Sequence, residues 1–262
     1  MRQFSAQGLS QSFGQQIVLK GLSFSLTQGQ CFALVGQNGV GKTTLLRIIS
    51  GQMLPDTGHL QIGEATFGKH GWKDSLRREI GVAMGTRMLP PELSPYDFLS
   101  FIGQLFEVPK AEWQARRDQL LDWLLPPTDH HKLLRNLSSG NRMKVAVAAA
   151  YLPNPSLVLL DEPFNNLDLV GIQQVKALIQ GRKAHAITII SSHQLEVLPE
   201  VCDQLGILHQ GEWAYLGEMT AFQAEGKQLL SKHLLQVLQP QPLQTDALTW
   251  QQQEEGSAEE SS

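Results

Sequence analysis

The stretch from Phe32 to Gly51, FALVGQNGVGKTTLLRIISG, joins an apolar run, a glycine-rich loop, Lys-Thr-Thr and a second apolar run closed by glycine. Gly36, four residues, Gly41, Lys42 and Thr43 satisfy the spacing G-x-x-x-x-G-K-[ST] directly after a strand-like run. Gly36, Gly39 and Gly41 let backbone N–H groups crowd around phosphate oxygens where a Cβ would clash. The N-terminus of the following helix adds partial positive charge. Lys42 is placed to reach the β- and γ-phosphates, and the Thr43 hydroxyl to ligate Mg²⁺. Asn38 and Thr44, inside and just after the loop, belong to the same binding set. A glycine-rich turn with a chance lysine would not need the strand before it and the helix after it. The loop is predicted to hold a nucleoside triphosphate.

More than a hundred residues later, LVLLDEP places Asp161 and Glu162 at the end of an apolar strand. A carboxylate there can hold a Mg²⁺ hydration shell, and the next can polarise an attacking water. An acidic strand-to-loop turn is common by itself; paired with a phosphate loop at this separation, it reads as chemistry.

The 262 residues are 42% hydrophobic, enough for one core with an inserted subdomain. Net charge is −4, and Glu254, Glu255, Glu259 and Glu260 fall in the last ten positions. Without them acidic and basic residues balance, so no basic face points to nucleic acid. Cys31 and Cys202 stand far apart in the sequence and are read as two reduced, packed thiols. The opening MRQFSAQGLSQSF lacks the apolar core of a secretory signal, and no window reaches the ~18 apolar residues of a membrane helix.

Residues 4 to 35 read as short β-type runs separated by turns, including IVL, LSFSL and CFALV. A helix is predicted from Lys42 to Ser50 with Gly51 as a left-handed cap. GHLQIG and EIGVAM read as strands. From Ser94 the Phe, Trp and Leu residues of PYDFLSFIGQLF and AEWQARRDQLLDWLL fall three and four apart, which predicts a helical insertion over about 94–150. SLVLLD, LVGIQQVKALIQ and AITIISS then alternate strand and helix, and LGILHQGEWAYLG closes as a hairpin at Gln210-Gly211. The expected fold is α/β, a P-loop NTPase with a mostly parallel sheet, an N-terminal antiparallel β part and an inserted helical subdomain. Residues 1–235 are expected to form this domain. Residues 236–262, polar and poor in apolar side chains, are expected to be a disordered tail.

LSSGN (Leu137 to Asn141), just before the Asp161 strand, is similar to the LSGGQ signature of the ATP-binding cassette family. NNLD (Asn165 to Asp168) is similar to its D-loop, and SSH ends at His193, similar to its switch histidine. With the phosphate loop, the chain resembles this family over about residues 2 to 235. The resemblance implies ATP and Mg²⁺ as cofactors, Glu162 and His193 as catalytic, and Thr43 and Asp161 as metal-binding. It further implies that Ser138 and Gly140 of one cassette meet the γ-phosphate held by a second, with Asp168 in the same interface, so that two copies sandwich two ATP molecules head to tail. For Ser138 a simple N-cap role is compatible with that reading. Phe13 stands where the family carries an aromatic that stacks on adenine, and an edge-strand or core role is its alternative.

Two departures matter. Gly85 occupies the place where the family usually carries glutamine after the IGVAM strand, and Ser139 replaces the first signature glycine. Both bear on rate and coupling more than on binding. A single cassette without membrane spans resembles the motor subunit of a bacterial transporter, most similar to exporters of the multidrug and antibiotic class, with importers open. The implied partners are a second cassette, expected to be a homodimer partner, and a separate integral membrane permease, with no nucleic acid. The implied location is cytoplasmic, peripheral on the inner face of the membrane. The permease is expected to contact the segment from Gly85 to Pro95 and the insertion, where Phe98, Phe101 and Phe106 either line a docking groove or fill the insertion's own core. A soluble nucleotide switch without transport is the rival reading.

Overall fold

The computed structural model describes residues 3–67, 71–193 and 195–229. The chain divides after Ala224, and both sheets and the sites described below lie in the first unit. The polar tail expected over 236–262 lies outside the described residues.

In chain order the elements are β1 (Gln3–Phe13), β2 (Gln16–Thr27), β3 (Cys31–Val35), α1 (Lys42–Ile49), β4 (Thr57–Ile62), β5 (Ala65–Thr66), α2 (Asp74–Arg77) and β6 (Ile80–Met84). There follow α3 (Pro95–Leu105), α4 (Lys110–Leu124), α5 (Ser139–Tyr151), β7 (Leu157–Asp161), α6 (Leu169–Arg182), β8 (Ile187–Ser192), β9 (Gln204–His209), β10 (Glu212–Glu218) and α7 (Met219–Leu229). One sheet is antiparallel, in the order β2-β1-β4-β5; the other runs β10-β9-β3-β8-β7-β6, parallel except for β10 at its edge. The α/β fold with an antiparallel N-terminal part is therefore the one expected.

The parallel strands are apolar on both faces because helices or the second sheet cover each side. Every residue of β3 and β8 is buried, as are the first four of β7. IVL and LSFSL, separate runs by sequence, lie in the single strand β2. Gly21 takes φ +68° within it, and the ladder to β1 shifts register there, between Leu9 and Gln11. A glycine inside a strand absorbed the break as a bulge rather than a turn. The closing hairpin turns at Gln210-Gly211, both with positive φ, as the sequence indicated.

The helical insertion closes on a buried cation. Arg117 is 5% exposed, sits 3.7 Å above the Tyr96 ring, and binds Asp118 and the Ser100 hydroxyl. Gly103 of α3 lies against Trp113 of α4, where a Cβ would come within 2.5 Å of the indole. Cys31 and Cys202, far apart in sequence, are brought to 3.4 Å between sulfurs, both free and buried. Their mutual hydrogen bond, together with burial, raises the Cys31 thiol well above its ordinary value. A buried thiol so shifted is a packing group with little thiolate to react.

Gly81 of β6 fixes how closely α5 approaches the sheet. A Cβ there would stand 2.0 Å from the Ala150 carbonyl oxygen, a backbone atom with no rotamer to yield. Gly81→Ala is expected to lower unfolding free energy by about 1–3 kcal/mol or more. Denaturant melts of the two proteins check this; coincident midpoints would mean that α5 moves away freely.

Candidate nucleotide site

The site forms at the carboxyl ends of the parallel strands, where open α/β sheets bind ligands. β3 leads into the glycine loop, β8 lies beside it, and β7 lies beside β8. Register places Leu34, Ser191 and Asp161 at one level across these three strands, and Met84 of β6 at that level too.

Gly36 is buried, and a Cβ on it would meet the Leu208 carbonyl oxygen at 2.6 Å. Gly41 caps α1 at φ +117°, with a Cβ position 2.9 Å from Val18 and Leu19 side chains. Gly39, at φ +81°, faces open space. The first and second of these glycines are thus required by packing and backbone, and the third leaves the loop open. Lys42 is 6% exposed and curls back, its Nζ donating to Gly36 O at 2.7 Å and Gln37 O at 3.2 Å. Its charge is 3.5 Å from Glu162 Oε1.

Thr43 Oγ1 donates to Asp161 Oδ2 at 2.8 Å, and the Ser191 hydroxyl donates to the other carboxylate oxygen. The backbone then turns sharply. Glu162 adopts φ +52°, a conformation that costs a non-glycine residue about 1–3 kcal/mol. Three contacts hold it there. Its N–H reaches the Ser191 hydroxyl at 3.0 Å and carbonyl at 3.2 Å; its Oε2 accepts from His193 N at 3.3 Å and lies 2.9 Å from His193 Nδ1; its Oε1 faces Lys42.

Asn38, Gly39, Gly41, Lys42, Thr43, Thr44, Asp161 and Glu162 line a cavity of about 190 Å³. A buried ammonium, the amides at the start of α1 and a hydroxyl beside a carboxylate suit a phosphate chain with a hard cation. Among the described residues no cluster of three His, Cys, Asp or Glu could hold a metal alone. A cation beside Thr43 and Asp161 would therefore complete its shell with phosphate and water oxygens.

The other expected site residues do not line this cavity. Phe13 ends β1 with 49% of its surface exposed, which removes the core alternative and leaves a free ring. Ser138 caps α5, accepting from Asn141 N at 3.1 Å, and stays exposed. Asp168 caps α6 through Gly171 N at 2.7 Å. Gly140 is buried, and a Cβ there would stand 2.5 Å from Asn166 O, so its glycine is required by the fold itself. Ser139 opens α5 on the exposed side, where the extra hydroxymethyl meets no crowding.

Two residues escaped sequence reasoning. Ser191 is fully buried and organises both acidic residues; its signal was its place two residues before His193. Asp129 accepts from Asn141 Nδ2 at 2.7 Å and Lys132 Nζ at 2.6 Å, tying the first turn of α5 to the insertion. No sequence pattern marks it.

With the geometry described, comparison with known proteins is direct. The ABC transporter family matches residues 19–165. An uncharacterised ABC transporter ATP-binding protein of Methanocaldococcus jannaschii is 34% identical over 214 residues, covering 81% of this chain and 76% of its own. The Nod factor export ATP-binding protein I of Ralstonia nicotianae is 33% identical over 208 residues, covering 79% of this chain and 64% of its own length. A solved structure described as the ATP-binding subunit of an ABC transporter superposes with a TM-score of 0.77 at 27% identity, over 89% of this chain and 97% of that one. The chain belongs to the ABC transporter family and carries its ATP-binding domain, an ABC ATPase.

Gly85, where the resemblance leads one to expect glutamine, has a distinctive backbone as well. It follows β6 at φ +77°, ψ 171°, a region essentially restricted to glycine, while a Cβ would meet nothing within 4 Å. Gly85→Ala and Gly85→Gln are both expected to lose about 1–3 kcal/mol of stability from the backbone alone. Equal melting shifts in the two variants would support this; no shift in either would mean the loop accommodates a side chain.

Lys132 foremost, with Asn141, holds the Asp129 carboxyl below its ordinary range, against the effect of its burial. A depressed carboxyl stabilises the fold above its unfolded value and loses that contribution as pH falls through the folded one. The advantage of the native chain over Asp129→Asn is therefore expected to be ~1–3 kcal/mol near pH 7. It should shrink below about pH 4. Melts from pH 7 to 3 would show a gap independent of pH if the carboxylate were irrelevant.

Proposed function

We propose that this chain is the ATP-hydrolysing motor subunit of an ABC exporter, working as a head-to-tail pair of cassettes on a separate membrane permease. The observation that carries the reading is Glu162, held in a strained turn with its carboxylate between Lys42 and His193 at the mouth of the phosphate cavity. In that position Glu162 takes a proton from water, His193 orients the carboxylate, and Lys42 with the loop amides binds the phosphates. Thr43 and Asp161 would hold Mg²⁺, which would supply charge neutralisation to the phosphates. Phe13 offers its exposed ring to the adenine.

Pairing is supported by what the cavity lacks. Ser138 stands exposed at the N-terminus of α5, away from its own phosphate cavity, with Gly140 and Asp168 beside it in sequence or in the adjoining turn. A second copy could meet that surface with its bound ATP, the helix amides facing the γ-phosphate.

A permease is supported by a second feature. A groove of about 200 Å³ lies between β6 and α3, lined by Gly85, Met88, Leu89, Phe98, Ile102 and Phe106 among others. Met88 is 76% and Phe101 52% exposed, whereas Phe98 is nearly buried. The rings thus divide between groove wall and outer rim, as a docking surface for an apolar helix requires. No described helix is long and apolar enough to cross a membrane, so this role places the chain on the cytoplasmic face through its partner. Export is favoured by likeness to the Nod factor export protein and to the lantibiotic transport ATP-binding protein SrtF of Streptococcus pyogenes, 28% identical over 79% of this chain and 86% of its own. The rival, a nucleotide switch with weak hydrolysis, rests on Gly85, which offers no side chain to metal or water.

In Glu162→Gln, ATP should still bind and hydrolysis should fall by about 10² or more. Light scattering should then show a dimer with ATP and a monomer with ADP. Adding Ser138→Asp retains a capping oxygen yet opposes phosphate charge, and should abolish the dimer. Near-normal hydrolysis in Glu162→Gln would remove Glu162 from the chemistry. Slow hydrolysis in the native chain, unaffected by Glu162→Gln, would favour the switch.

A further inference from the structure

A second cavity lies elsewhere. It measures about 620 Å³ and lies between α4, the end of α5 and α6, sharing no lining residue with the phosphate cavity. That volume suits a small organic ligand. Trp123, half exposed, and Leu178 supply apolar wall, and most of the lining is apolar.

Two arginines face this wall. Arg116 is tied to Glu112 Oε2 at 2.5 Å and to Leu152 O at 3.4 Å. Arg182 makes no ion pair or hydrogen bond among the described residues, although it is partly buried. Burial lowers its guanidinium below the ordinary value, and the like charge of Arg116 pushes the same way. Tyr151, 4% exposed, lines the cavity too, with its hydroxyl beside Thr188. A partly buried cation without a protein partner, beside a second cation, attracts an anion to the pair. The apolar wall disfavours a fully hydrated ion such as free phosphate.

We infer that this cavity binds a small amphipathic organic anion, its carboxylate, sulfonate or phosphate head at Arg182 and Arg116 and its apolar body along Trp123 and Leu178. The ligand would bridge the helical insertion to the core, since α4 belongs to one and α6 to the other.

The test uses the full chain without nucleotide, titrated calorimetrically with decanoate and followed by displacement of anilinonaphthalene sulfonate. One equivalent of decanoate should bind and displace the dye, while decanol and inorganic phosphate should not at equal concentration. Arg182→Ala should weaken decanoate about tenfold or more, the scale of one lost charge-assisted contact. Ala177→Glu, on an exposed lining position that tolerates substitution, should do the same by repulsion. ATP affinity should be unchanged in both, which controls for folding. No decanoate binding up to millimolar concentration would overturn the inference. So would decanoate affinity equal to that of the native chain in both variants, or decanol binding as well as decanoate, which would mark an apolar crevice only.

Discussion

The hydroxyl of Thr43 reaches Asp161 across 118 residues of chain, and that 2.8 Å bond joins the phosphate loop to the acidic strand. Neither partner could arrive without the sheet order. β8 lies between β3 and β7, so a residue on it can touch both flanking strand ends. Ser191 is that residue, in register with Leu34 on one side and Asp161 on the other. Its hydroxyl donates a hydrogen bond to Asp161 and accepts one from Glu162 N–H. The buried hydroxyl thereby satisfies two polar groups in a layer where water has little access.

The strain at Glu162 follows from this layer. β7 is fixed by its neighbours up to Asp161, so the next residue must turn at once to bring its carboxylate over the loop. A left-handed turn does this in one residue, at a cost that the Ser191, His193 and Lys42 contacts offset. The same level of the sheet carries Met84, so Gly85 leaves β6 beside the acidic turn. Two consecutive strand ends therefore break out with positive φ, one with a carboxylate and one with no side chain at all.

How much of this was legible in the sequence depends on the range of the interaction. The phosphate loop, the Asp161-Glu162 pair and the cap at Gly51 are local patterns, and each was read in place. The strand-helix alternation gave the parallel core because both-face burial leaves unbroken apolar runs such as CFALV. The bulge at Gly21 was misread as a turn, since glycine marks both and only pairing with β1 distinguishes them. Ser191 and Asp129 were not legible because their partners lie in other elements, and serine and aspartate at such positions look like solvent-facing residues. The sulfur contact between Cys31 and Cys202 is of the same kind: Asp203 N donates to Cys31 O at 2.8 Å, and that strand pairing places Cys202 alongside.

Gly140 shows why a motif residue can carry two meanings at once. Sequence resemblance assigned it to phosphate binding, yet its Cβ position is blocked by the Asn166 carbonyl, on the turn that leads to Asp168. Asn166 itself has φ +61°, so the turn is already committed and cannot retreat from a side chain. The start of α5 is therefore packed against the start of α6 through a missing Cβ, while Asp129 fixes the same end of α5 from the insertion. Ser138 is thus held from two sides by groups that do not line the phosphate cavity. That exposed, firmly placed hydroxyl is the feature on which the proposed pairing of two copies rests.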